Sequence, residues 1–227
     1  MNNSGDIRLR AVVTETLLVF RARVGAFLLV SLLLSLPYLL VDLAPLPETV
    51  LFLLEMVLGL ALDAWSIAAF VLITWSSMNP ATDVVDSISG FLRNSVRLIV
   101  PMVLLLVVMQ IAIGIGLFLL VVPGVVLFTV WIAAQPACAL ERRGISASLL
   151  RSQKLTEGVR MKVAWSALVI LLLAVIPSVL AFLSGSLSVT AISFLAGVVL
   201  YPMSTIAMTV IYARLVNLDR PGSGSIA

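Results

Sequence analysis

Residues 122–163 read VPGVVLFTVWIAAQPACALERRGISASLLRSQKLTEGVRMKV, and this stretch decides the fold. An apolar segment begins at Pro123 and ends where Glu141 opens a charged run. A basic connector follows, and the chain becomes apolar again after Lys162. This pattern is typical of one transmembrane helix, a turn at the membrane surface and the start of the next transmembrane helix.

The composition places the whole chain in the same class. Of its 227 residues, 62% are hydrophobic and 11% are charged, and the mean hydropathy is +1.21. A soluble domain carries about 25% charged residues. Each membrane-spanning helix needs roughly 20 mostly apolar residues, so the chain has room for about six of them and for no soluble catalytic domain.

The apolar segments predict an all-α integral membrane protein with six transmembrane helices in one domain, residues 1–216, and a disordered cytoplasmic tail, residues 217–227. The six predicted spans cover residues 24–43, 50–76, 98–121, 125–140, 163–183 and 189–216. Amphipathic or basic segments precede the first, third and fifth spans and are predicted to lie on the membrane surface, at residues 7–23, 79–97 and 144–162. The chain is therefore interpreted as three repeated units, each an interfacial elbow helix followed by a transmembrane hairpin.

The distribution of basic residues predicts the orientation in the membrane. Three short connectors contain no Lys or Arg, namely residues 42–48, the tight turn predicted at Pro123-Gly124, and residues 184–188. The 14 basic residues all fall on the other predicted side, which is the positive-inside pattern and places both termini in the cytoplasm. Because this charge follows the topology, we assign it to anchoring and to contact with anionic headgroups of the phospholipid bilayer, and we exclude nucleic acid as a partner.

One cysteine and no histidine limit the chemistry that the chain can perform. It can form no internal disulfide, no zinc site of the usual His/Cys kind and no histidine acid–base group. The sequence also offers no nucleophile set. We therefore expect no catalytic residues, no metal and no cofactor, and we expect the protein not to be an enzyme.

Asp63 is the strongest candidate for a functional side chain, because it falls near the middle of the second predicted span. A charge there costs about 2.5–3.5 kcal/mol on insertion scales, so the side chain should face the bundle interior. Its hydrogen-bond partners are expected among Ser66, Gln110, Gln135 and Tyr201. Two interpretations stay open: a proton- or cation-coupling site, or a neutral carboxyl group that joins two helices. Glu55, two turns outward, is expected to reach the outer headgroups.

Charged residues at the end of the fourth predicted span form a second candidate group. Glu141 is followed by Arg142 and Arg143, and Arg151 lies in the connector that comes next. We interpret these residues as a structural clasp that fixes the elbow, with phosphate binding as the alternative. Within the connector, Gly158 is expected to end a helix.

The same region carries a longer pattern, in which Pro-Gly is followed by Pro, Leu-Glu, Gly and the run Leu-Arg-Ser-x-x-Leu-Thr-x-Gly-x-Arg. The residues concerned are Pro123, Gly124, Pro136, Leu140, Glu141, Gly144, Leu150, Arg151, Ser152, Leu155, Thr156, Gly158 and Arg160. The pattern resembles the membrane domain found beside glycerophosphodiester phosphodiesterases and the related YciC-like and DUF975-like bacterial membrane proteins. Gln153 departs from it at a position where an aromatic residue is usual.

The resemblance implies a multi-pass protein of the bacterial cytoplasmic (inner) membrane, near phospholipid metabolism. The phosphodiesterase barrel has no counterpart in this sequence, so no hydrolase activity follows. The expected function is a non-enzymatic scaffold or partner in lipid or envelope homeostasis, with other membrane proteins or a homo-oligomer as further partners. The alternative is a transporter or channel for a small solute or lipid, with Asp63 as its intramembrane coupling site.

Overall fold

A computed structural model describes residues 9–42, 45–79, 88–184 and 187–219. These residues form ten α-helices and contain no strand, which confirms the predicted all-α class. The helices are α1 (Leu9–Ala22), α2 (Val24–Asp42), α3 (Glu48–Met78), α4 (Ile88–Val96), α5 (Ile99–Leu119), α6 (Val121–Trp131), α7 (Ala134–Glu141), α8 (Ile145–Thr156), α9 (Arg160–Ser184) and α10 (Leu187–Asp219).

Several of these helices are long and apolar enough to cross a membrane. Among the described residues, four stretches qualify by length and composition: Glu48–Met78, Ile99–Leu119, Val122–Glu141 and Ala196–Asp219. A fifth follows if α1 and the first part of α2, which meet at an angle of 81°, count as one bent span. The chain is therefore suited to a membrane-embedded bundle, while the count of six spans stays a prediction.

The connection between α5 and α6 differs from the predicted turn. Leu120 alone adopts an extended conformation, with φ −161° and ψ 136°. Pro123 and Gly124, predicted to form the turn, lie instead in the first turn of α6. The first four N–H groups of a helix have no partner within it, so proline at the third position of α6 loses no hydrogen bond.

The fourth predicted span is present as residues 122–141, which qualify as one stretch, but its helix is interrupted. In place of one continuous helix over residues 125–140, the chain forms α6 and α7, with a break between them that consists of the turn at Ile132 and Ala133. Pro136 is the local reason, because it has no N–H to donate to the carbonyl group four residues earlier and its ring crowds that carbonyl. It is tolerated in the first turn of α7 for the same reason as Pro123 in α6.

The core is built around the second half of α3, which contacts α1, α2, α4, α5, α7 and α10. Ala64, Ala68 and Ala69 are fully buried there, beside Phe70 and Ile73. The small alanine side chains let neighbouring helix backbones approach closely, which favours packing between helices that have no water to exclude.

The C-terminal helix is longer than predicted. The predicted tail began at residue 217, but α10 continues to Asp219. Asp219 forms an ion pair with Arg151 of α8 and accepts a 2.7 Å hydrogen bond from it. This contact holds the last turn of α10 in place. The rest of the predicted tail, residues 220–227, lies outside the described residues.

The three predicted elbow segments correspond to α1, α4 and α8. Helix α1 packs on α10, where Arg214 binds Glu15 through two hydrogen bonds of 2.6 and 2.9 Å. In the second segment, residues 80–87 lie outside the described residues, so the structure covers only its second part. The position of these helices at a membrane surface, and their arrangement as three repeats, stay predictions.

Candidate functional site

Helix α8 folds back along α7. Near its beginning, the Ser148 hydroxyl donates to the Arg143 carbonyl oxygen, which follows the end of α7, at 3.4 Å. One turn later, Ser152 reaches Val130 at the end of α6. Successive turns of α8 thus contact successively earlier parts of the preceding helices, and the hydroxyl side chains on this face are fully buried. One face of α8 is therefore packed against the preceding helices, while its position at the membrane surface stays a prediction.

Ser152 completes the hydrogen bonding of the break between α6 and α7. Its hydroxyl donates to the Val130 carbonyl oxygen at 2.7 Å and accepts from the Ala133 N–H at 3.2 Å. Both backbone groups lost their helical partners at the break, and Ser152 satisfies both from a site with no solvent exposure. One turn on, Thr156 donates to the Ser152 carbonyl oxygen at 3.0 Å. Ser152 and Thr156, two residues of the sequence pattern, therefore form hydrogen bonds that stabilise the described helices.

Two residues with positive φ angles set the ends of α7 and α8. Arg142, directly after α7, has φ +50° and ends that helix in the left-handed conformation. Gly158 has φ +80° and follows α8, in agreement with its predicted role as a helix stop. Glycine has no Cβ, so Gly158 adopts this conformation without steric cost. At the other end of α8, Gly144 is the N-cap residue and has an extended conformation.

Glu141 is the centre of an ion cluster that we call the clasp, formed by Glu141, Arg143, Arg151, Tyr212 and Asp219. The Glu141 carboxylate pairs with Arg143 and accepts hydrogen bonds from Arg151 Nε at 3.2 Å and from the Tyr212 hydroxyl at 2.7 Å. Arg151 also reaches Asp219. The clasp thus joins the end of α7, the middle of α8 and the last turns of α10. Its pairs of Glu141 with Arg143 and Arg151 are those expected from the sequence.

The charge state of Arg151 suits this role. Burial lowers the pKa of its guanidinium group, but hydrogen bonds and attraction from Asp219 and Glu141 raise it, and the resulting pKa lies above the ordinary value. Arg151 therefore stays charged at any pH that a cell experiences. Arg142, which the sequence also suggested as a member, is exposed and forms no ion pair with the described carboxylates. Tyr212 and Asp219 were not predicted, because only the fold brings α10 to this point.

Asp63 lies in a second polar cluster, between α3 and α10. Its side chain is hydrogen-bonded to Tyr201, one of the four partners expected from the sequence. Ser66 lies beside this pair: its hydroxyl donates to the Asp63 backbone carbonyl at 2.8 Å and lies 3.3 Å from the Tyr201 hydroxyl. The ring of Phe70 packs against the edge of Tyr201, with 6.2 Å between ring centroids.

The remaining candidates do not join the Asp63 cluster. Gln110 lies on an exposed side of α5, and Gln135 is partly buried near the start of α7. Glu55 lies in the first half of α3, where the neighbouring Phe52 and Val57 are exposed. Arg160, the last residue of the sequence pattern, is exposed at the start of α9. Neither glutamine therefore acts as a bridge from Asp63 to another helix.

Asp63 lines neither of two cavities that described residues form. The larger, of about 360 Å³, opens among the ends of α1, α3 and α10. Its lining residues are Glu15, Val19, Trp75, Met78, Asn79, Ala213 and Asn217. The smaller, of about 60 Å³, lies among α1, α9 and α10, and it is almost entirely apolar.

Comparisons with known protein families, with curated proteins and with solved structures find no match to this chain. Its function must be argued from its own geometry. The resemblance described for residues 123–160 therefore keeps the status of an interpretation.

Proposed function

We propose that this chain is a six-span, non-enzymatic protein of the bacterial cytoplasmic membrane, with both termini in the cytoplasm. In this proposal it acts as a scaffold or partner in lipid or envelope homeostasis, and its cytoplasmic surface holds anionic lipid headgroups and a protein partner. The observation that carries the proposal is the set of exposed basic residues that follow Glu141 along the chain, from Arg142 to Lys162.

The carboxylates of the clasp form ion pairs with arginines of the clasp, and the other described basic side chains of the adjoining chain form no ion pair with them. Glu141 and Asp219 are occupied by Arg143 and Arg151. The exposed basic residues in the adjoining chain are Arg142, Lys154, Arg160 and Lys162, none of which pairs with a described carboxylate. Positive side chains near a membrane surface attract anionic lipids, with about 1 kcal/mol for each Lys or Arg.

Neutralising these charges should release anionic lipid. We expect the variant R142Q/K154Q/R160Q/K162Q to retain at least tenfold less phosphatidylglycerol than the parent chain, because four attractive contacts of about 1 kcal/mol each are removed. The measurement is native mass spectrometry of protein released from vesicles of phosphatidylcholine and phosphatidylglycerol. The proposed protein partner should also be lost from complexes purified in mild detergent.

A matched control is Gln153→Ser, which changes an exposed side chain on the same helix without changing charge. It should retain lipid as the parent does. Equal phosphatidylglycerol retention by the fourfold variant and the parent would contradict the proposed role of the basic surface.

A second candidate function, transport of a small solute or lipid, is favoured by one observation: the Asp63–Tyr201 pair between two long apolar helices. Under this alternative Asp63 is the coupling site, and Asp63→Asn should reduce proton or cation flux into liposomes at least tenfold. The amide of asparagine retains a hydrogen bond to Tyr201, so the free energy of unfolding should change by less than about 1 kcal/mol, in line with interhelical hydrogen bonds in membranes.

Flux is measured with a pH-sensitive or cation-sensitive dye trapped inside the liposomes, and Ser66→Ala serves as the neighbouring control. If the parent chain carries no flux above that of empty liposomes, the transport alternative is abandoned. If Asp63→Asn lowers stability and leaves flux unchanged, Asp63 is structural.

A further inference from the structure

Helix α5 is the least covered of the helices that qualify as spans. Of its most apolar 18 residues, 28% are buried within the chain, compared with 56% for each of the other three stretches. It packs mainly against α3 and α6. A large part of its surface therefore faces away from its own chain.

Gln110 lies on this uncovered surface, at the centre of the helix. Helix α5 has 21 residues, which corresponds to about 31 Å at 1.5 Å per residue and matches a hydrocarbon core of about 30 Å. Gln110 follows Ile99 by eleven residues and precedes Leu119 by nine. It is exposed and makes no hydrogen bond within the described residues. A primary amide facing lipid at this depth has no partner, which is unfavourable.

A partner of Gln110 must present a hydrogen-bonding group at the same depth in the membrane. Lipid tails offer neither donors nor acceptors, and a different protein would need a polar group at the same depth. A second copy of this chain, inserted in the same orientation, brings its own Gln110 to that depth. An amide is both donor and acceptor, so two copies related by a twofold axis can exchange a pair of N–H to O=C hydrogen bonds.

We propose that two copies of this chain associate through a surface of α5 formed by Val107, Gln110 and Gly114, which we call the Gln110 surface. Val107 and Gly114 lie one turn before and one turn after Gln110, on the same side of the helix. A Cβ atom added at Gly114 would meet nothing within 4 Å. The partner backbone can therefore approach closely beside the amide pair, an arrangement that favours helix association in membranes.

The geometry is tested by disulfide cross-linking in membranes. Because Cys138 is the single native cysteine, the background variant is Cys138→Ala. Val107→Cys then places a thiol on the Gln110 surface, while Val108→Cys places one at nearly the same depth on another exposed side of α5. Oxidation should join two copies carrying Val107→Cys at least tenfold faster than two copies carrying Val108→Cys.

The contribution of the amide is tested by energy transfer between labelled copies in liposomes of decreasing protein density. Gln110→Leu should raise the dissociation constant about tenfold, which corresponds to about 1.4 kcal/mol, because leucine can form neither of the two amide hydrogen bonds. Gln110→Asn should retain part of the affinity, and Gln135→Leu should leave it unchanged. Folding of each variant is checked by its helical circular dichroism.

Three results would overturn the proposal. They are a parent chain that stays monomeric at every density, equal cross-linking of Val107→Cys and Val108→Cys, and an unchanged dissociation constant for Gln110→Leu. Association of the Gln110 surface with a different membrane protein, in place of a second copy, would also overturn it.

Discussion

Ser152→Ala is expected to lower the free energy of unfolding by about 2 kcal/mol. The substitution leaves the Val130 carbonyl group and the Ala133 N–H without the hydroxyl that satisfies them at the break between α6 and α7. A buried polar group without a partner costs about 1–3 kcal/mol, and no water reaches this fully buried position to replace the hydroxyl. The measurement is reversible chemical unfolding in mixed micelles, followed by circular dichroism.

The matched control is Ser146→Ala, on the same helix two turns earlier. Ser146 is exposed and makes no hydrogen bond within the described chain, so its loss should change the free energy of unfolding by less than about 0.5 kcal/mol. If the two alanine variants are equally stable, Ser152 does not hold α8 against the break. The effect of Ser152→Ala should also appear as faster proteolysis in the connector between α8 and α9.

Gly116→Ala is expected to destabilise the chain by about 2 kcal/mol, because it forces α5 and α6 apart. A Cβ atom at Gly116 would lie 2.9 Å from both the Cα and the N atom of Gly124. These are backbone atoms within a helix, so they cannot move aside as the end of a side chain can. Overpacking of this kind costs about 1–3 kcal/mol. Unfolding in mixed micelles again measures the change.

Gly197→Ala provides a control within another long apolar helix, α10. Its Cβ atom would meet no atom within 4 Å, and alanine favours a helix over glycine by up to about 1 kcal/mol. Gly197→Ala should therefore leave stability unchanged or raise it slightly. Equal destabilisation by both substitutions would indicate that loss of glycine itself, and not the crossing of α5 with α6, is responsible.

The sequence was sufficient to predict the all-α class and the approximate bounds of most helices. Apolar runs and charged ends are local signals, and α3 begins and ends within two residues of the predicted second span. The break in the helix at Ile132 and Ala133, which leaves residues 122–141 as one span, was not predicted, although Pro136 gave a signal. Proline alone does not determine whether a helix continues past it or is interrupted by a turn. The break also depends on Ser152, whose contact across 22 residues is not visible in a local pattern.

In the clasp too, contacts between residues near in sequence were predicted and contacts between distant residues were not. The pairing of Glu141 with Arg151 follows from opposite charges placed near one elbow, so the sequence suggested it. The contribution of Tyr212, at a separation of 71 residues, depends on how α10 packs. Gln110 illustrates a different difficulty, because an amide within an apolar segment was expected to face inward. Helical periodicity does not define which side of a uniformly apolar helix faces its neighbours.

The ion pair between Arg214 and Glu15 has a consequence for biosynthesis. It joins helices at the two ends of the described chain, across a separation of 199 residues. At ribosomal rates of roughly 5–20 residues per second, α1 is made about 10–40 s before Arg214. During that interval the Glu15 carboxylate and the face of α1 that packs on α10 lack this partner helix. The contact between α1 and α10 thus stays unmade in the nascent chain until residue 214 has been synthesised, and insertion factors have that long to act on α1.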